Sequence, residues 1–126
     1  MHEHKDHAEI LAGLSKELTP ILEYSDDGVY LYLDDHHVVA NAKFVKMLGF
    51  KTQKEMMGLD FLHRLVDAKS QKVLVEAFWK AVKRMTGSKI TVVWKKKGKG
   101  IVKTQVILVP ITYKGHAFAL HFVSKG

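Results

Sequence analysis

DGVYLYLDDHHVVANAKFVKMLGF, residues 27–50, decides how the rest of the chain is read. Its apolar run GVYLYL is broken by the polar turn Asp34-Asp35-His36-His37, and a shorter run, VVA, leads to Asn41. A polar turn between two β-rich runs predicts an antiparallel pair. Ala42, Phe44, Val45, Met47 and Leu48 then fall at helical spacing. Gly49 supplies the stop, because glycine ends a helix at low steric cost.

Downstream, KTQKEMMG predicts a second short helix, with Thr52 as N-cap, Glu55 three positions on as its capping-box partner, and Gly58 closing it. LDFLHRLVD has too few polar residues for a free loop and reads as a packed connection anchored by Phe61, Leu62, Leu65 and Val66. Residues 70–85 form the longest helix. Val73, Leu74, Ala77, Phe78, Ala81, Val82 and Met85 share one face, opposite Lys72, Glu76, Lys80 and Lys83. Trp79 projects on the charged side. It either covers a neighbour or lies along the surface under lysine stems.

The last third alternates with period two. Ile90, Val92 and Trp94 share a face in residues 88–94, and Val102, Val106 and Leu108 share one in a strand from Ile101 to Val109, ended by Pro110. After the turn Tyr113-Lys114-Gly115, a strand over 116–123 puts Phe118, Leu120 and Phe122 on one side and Ala117, Ala119 and His121 on the other. These three strands form an antiparallel meander.

Upstream, Leu11, Leu14, Leu18 and Ile21 follow the three-four-three spacing of a coiled-coil seam, too short to be stable alone. The helix either packs on its own domain or pairs with the same helix of a second chain. Pro20 implies a kink or a fresh helical start. His2, His4 and His7, among Glu3 and Asp6, are of metal-ligating type but also suit a solvated terminus.

The 126 residues suffice for one hydrophobic core, and 47% hydrophobic with 26% charged is globular composition. The absence of cysteine excludes disulfides and thiolate chemistry and fits a reducing compartment. The polar first ten residues predict no secretory leader, and no apolar run approaches the ~20 residues of a membrane span. The expected setting is therefore cytoplasmic. The net charge of +7 suits acidic partners or simply a soluble surface.

Leading helix, two strands, short helices, one long helix and three strands: in this order the chain resembles a PAS domain, over residues 21–124. DGVYLYLDD resembles the opening strand and turn of that family, VVANAKFVKMLGF its second strand with Asn41, Phe44 and Gly49-Phe50 at the family positions, and SKITVVWKKKGKGIVKTQVILVPI its paired strands. Ala42 stands where Pro is common, the first turn lacks Gly, and the terminal HFVSKG lacks the acidic exit motif, which leaves open a fragment of a larger protein or signalling through the leading helix.

The resemblance implies an α+β fold: a five-stranded antiparallel sheet with short helices and one long helix on one face. Residues 1–20 would precede it as a polar tail and amphipathic helix, and 21–126 would form the PAS domain. It also implies a sensory, dimerising module of signal transduction, acting with a partner protein or fused effector. The leading-helix seam would carry a homodimer. A small apolar ligand would sit between the long helix and the sheet, lined by Phe61, Leu74, Phe78, Val92, Trp94, Val106, Leu108, Phe118 and Leu120. The alternative is that these side chains are ordinary close-packed core. A cysteinyl-flavin adduct is excluded by the lack of Cys, and the long helix has no axial His for haem. Flavin without covalent chemistry stays open.

No acid–base or nucleophile pairing predicts an enzyme. The carboxylates of Asp26, Asp27, Asp34, Asp35, Asp60 and Asp67 fall at turns and helix ends, where they cap backbone N–H groups. The rival reading is nucleic-acid binding by Lys95, Lys96, Lys97, Lys99 and Lys103 beside Trp94, against which stand the ordinary solvation of a hairpin tip and the lack of a reader motif.

Overall fold

The computed structural model describes residues 3–34, 37–56 and 60–126. Turn residues Asp35 and His36, the helix stop Gly58, and the side chains of His2, His4 and His7 lie outside what is described. Strands β1 (Gly28–Asp34), β2 (His37–Ala40), β3 (Ser88–Lys95), β4 (Ile101–Tyr113) and β5 (His116–Lys125) form the expected antiparallel sheet, in the order β2-β1-β5-β4-β3. Helices α3 (Ala42–Met47), α4 (Gln53–Met56), α5 (Phe61–Leu65) and the long α6 (Ala68–Arg84) connect β2 to β3. Residues read as a packed connection thus include a short helix, and Phe61, Leu65 and Val66 are buried as its anchors.

Asn41 shows why the organising unit folds locally. Its Oδ1 accepts from Phe44 N at 3.0 Å, capping α3, and from Val29 N at 2.9 Å, while its Nδ2 donates to Asp27 O at 3.1 Å. One side chain ties the start of β1 to the end of β2 and the first turn of α3. Gly28 lets α3 lie this close, since a Cβ there would meet Phe44 Cα and Cβ at 3.1 Å. Gly49 takes φ +86° past the end of α3. At α4, Thr52 Oγ1 accepts from Glu55 N at 3.1 Å, but Glu55 returns its bond to Lys51 N, one residue before the cap. Helix α6 starts at Ala68, two residues before the expected start at Ser70, where Asp67 accepts from Lys69 N.

Two hydrophobic clusters flank the sheet. On the inner face, Tyr30, Phe44, Phe61, Val92, Trp94, Val106 and Leu108 pack under α3–α6. Trp94 is fully buried, with Nε1 donating to Thr104 Oγ1 at 2.9 Å, and that hydroxyl donates to Val92 O. On the outer face, α1 (Glu3–Glu17) and α2 (Thr19–Tyr24) cover Val29, Leu31, Phe118 and Leu120. Leu11 and Leu14 are buried there, with Leu18 and Ile21 packed alongside. Of the two partners open to this seam, the structure uses the chain's own sheet. Pro20 stands at the first turn of α2, the fresh start its position implied.

Two readings of the strands are corrected. β4 does not end at Pro110 but runs to Tyr113, pairing Pro110 with Ala119. β3 stops pairing at Leu108, so beyond it β4 has a neighbour on one side only, where a missing N–H is tolerated. On β5, Phe118 and Leu120 face α1, and Ala119, His121 and Val123 face the interior. The inner side is already filled by large rings from β1, β3 and α3, which leaves room there for small residues.

Candidate functional site

A cleft of about 300 Å³ lies between the inner face of β1 and β5 and the facing sides of α5 and α6. Strand periodicity delivers Tyr30 and Tyr32 from β1, pairing of Tyr30 with His121 adds β5, and the helices contribute Phe61, Leu62, Leu74, Val75, Phe78 and Trp79. Leu33 and Asp34 complete the wall. Tyr30, Phe61 and His121 are at most 2% exposed and form its floor, whereas Trp79, at 50%, marks its mouth. Lys83 Nζ sits 5.0 Å over the Trp79 ring, so this indole lies along the surface under a lysine stem.

Of the expected lining, Phe61, Leu74 and Phe78 reach the cleft. Val92, Trp94, Val106 and Leu108 share its face of the sheet but fill the adjoining core. Phe118 and Leu120 belong to the other side. Tyr30, Tyr32, Asp34 and His121 were not expected there. Tyr30 and Tyr32 alternate visibly along β1, but their meeting with His121 depends on a strand pairing across most of the chain.

Two polar atoms in this apolar wall have no hydrogen-bond partner among the described residues: Tyr30 Oη and His121 Nδ1, both buried. Their rings stack, centroids 4.0 Å apart and 11° from parallel. Burial pushes the His121 imidazole down to about 3, against an opposing pull from the Tyr30 and Ala119 backbone. Burial, reinforced by Tyr32, raises the Tyr30 phenol well above its ordinary value. Both groups are therefore neutral at pH 7. Asp34, at the end of β1, lies 2.8 and 3.0 Å from His37 Nδ1. Asp60, expected to cap, precedes α5 without a side-chain cap bond.

The polar groups of the described lining are the Tyr30 and Tyr32 hydroxyls, the His121 imidazole, the Trp79 indole N–H and the Asp34 carboxylate. Among the described residues no group of three or more His, Asp or Glu could hold a metal ion. The basic hairpin lacks the aromatic that nucleic-acid stacking needs, because Trp94 is buried. Its Lys95 donates to His63 O at 3.0 Å, and its Lys97 pairs with Glu55 and lowers that carboxyl below the ordinary range.

A sheet in the order 2-1-5-4-3, with α3–α6 packed across its inner face, is the PAS fold. The chain is similar to the PAS domain of an HTR-like protein from Haloarcula marismortui, at 18% identity and TM-score 0.65, covering 97% of this chain and 99% of that one. It is also similar to a PAS domain from Colwellia psychrerythraea, at 14% identity and TM-score 0.69 over 90% and 97% of the two chains. A third likeness is to a PAS domain from a two-component sensor histidine kinase, at 9% identity and TM-score 0.65 over 91% and 99%. No protein-family profile and no curated protein sequence matches the chain. At these identities the likeness establishes the fold.

Proposed function

We propose that this chain is a sensory PAS-type module of signal transduction whose input is a small molecule seated in the cleft between α6 and the sheet. One observation carries the reading. An aromatic-walled cleft with two unpaired polar atoms on its floor is what a small-molecule site requires, and such atoms are rare in a merely filled core. The PAS domain of a sensor histidine kinase, similar in fold, supports a role beside a signalling partner or a fused effector. The module binds rather than catalyses: the two stacked rings are neutral and the one carboxylate of the described lining is hydrogen-bonded to His37, so the cleft lacks a poised acid–base pair. Lack of cysteine supports a cytoplasmic setting, and no helix among the described residues is long and apolar enough to cross a membrane. The homodimer expected from the leading helix would need a surface other than Leu11 and Leu14, which the sheet already covers.

Native and denaturing mass spectra of the purified protein, with absorbance on the same sample, test the reading. A small mass released on denaturation supports it. A chain of formula mass whose melting temperature no small aromatic molecule raises overturns it.

A further inference from the structure

We infer that the cleft takes a small, uncharged aromatic molecule bearing a hydroxyl group, held between Tyr30 Oη and His121 Nδ1; this rests on the reading of the cleft as a ligand site. The first support is the pair of atoms itself. Left unpaired, a buried hydroxyl and a buried ring nitrogen each carry their full desolvation penalty. A ligand hydroxyl both accepts and donates, so it can take the Tyr30 proton and give its own to His121 in the Nε2–H tautomer. The two rings stack with centroids 4.0 Å apart and both residues line the cleft, so the unpaired atoms belong to neighbouring side chains of one wall, where a single hydroxyl that reaches both would satisfy the pair.

Charge narrows the class further. Asp34 is the one lining residue, among those described, that is charged at neutral pH, and it is already beside His37. Among the described residues no Lys or Arg lines the cleft, the Lys83 ammonium lying over Trp79 at its mouth, and burial keeps His121 neutral, so a carboxylate or phosphate finds no counter-charge on the floor despite the net charge of +7.

Shape selects a ring. Tyr32 stands edge-on to Phe78 at 5.3 Å and tilted to Phe61 at 5.6 Å, leaving aromatic faces and edges turned toward the same space. A volume of about 300 Å³ is at the small end for ligand sites, which suits one or two rings.

The test is an NMR titration of the full chain with phenol, toluene and benzoate, repeated on Tyr30→Phe. Phenol is expected to bind at least about ten-fold tighter than toluene, because a site built to pair a hydroxyl rejects the analogue lacking it, and tighter than benzoate. In Tyr30→Phe, which removes only the unpaired oxygen, the preference for phenol over toluene should collapse. Toluene binding as tightly as phenol, benzoate binding tightest, or a preference that survives in Tyr30→Phe each overturns the inference and leaves the cleft as a ligand site. Failure of all three probes to shift any cleft resonance overturns the ligand site itself. The wild-type comparison decides the matter even if the variant does not fold.

Discussion

Tyr30 and His121 lie opposite each other on β1 and β5 and stack at 4.0 Å, yet neither Tyr30 Oη nor His121 Nδ1 has a hydrogen-bond partner among the described residues. Stability is given up at this point of the sheet, and both residues line the cleft.

That arrangement makes stability depend on pH. His121 is held near 3 in the fold against an ordinary 6.5, so between those values the unfolded chain binds a proton that the folded chain refuses. Stability contributed by the neutral imidazole is therefore intact above pH 6.5 and falls as pH drops toward 3. Between pH 7 and pH 5 the loss should be about 2 kcal/mol. Urea denaturation at both pH values should show this drop for wild type and a smaller one for His121→Phe. Equal drops would contradict it.

Asn41 serves three backbone groups, two through one oxygen. Asn41→Ala strands the Val29 and Phe44 N–H groups and should cost about 2–4 kcal/mol, the sum of a lost helix cap and a buried unpaired donor. Asn41→Asp keeps the accepting oxygen but not the bond to Asp27 O. Chemical denaturation of both variants checks this; a loss below 1 kcal/mol for Ala would count against the assigned role, where about 2 kcal/mol is the floor expected.

Leu14 is 4% exposed against the chain's own sheet, in one cluster with Leu31 and Leu120. Leu14→Glu should therefore destabilise the fold itself, by about 3 kcal/mol or more, through a lost apolar contact and a buried carboxylate. Denaturation with sedimentation on the same sample separates the two partners the seam could have. A variant that changes oligomeric state at unaltered stability would return the seam to a second chain.

Much of the fold is legible because its signals are local. Period-two runs, the Asn41 cap, Gly49 and the stripe of α6 each announce an element within a few residues. The corrections share a cause. Phe118, Ala119, Leu120 and His121 are all buried, since β5 is central and covered on both faces, so alternation could say that two faces exist but not which one looks inward. Pro110 reads as a strand end until its neighbour count is known. The site is less legible than the fold, because Tyr30 and His121 meet only through a pairing between strands at opposite ends of the domain.

Phe78 is half-buried at the cleft, edge-on to Tyr32, rather than locked in the core. Phe78→Ala should open the cleft at a cost of about 1–2 kcal/mol, less than the 3–5 typical of a fully buried ring. Denaturation measures the cost, and a loss within the fully buried range would place the ring in the core.

The most direct measurement is a set of intermolecular NMR contacts between phenol and the side chains of the full-length chain. Contacts to Phe61, Leu74, Phe78 and His121, with none to Leu11 or Leu120, are the expected result. Contacts confined to the outer face under α1, or none at saturating phenol, would contradict a ligand cleft between α6 and the sheet.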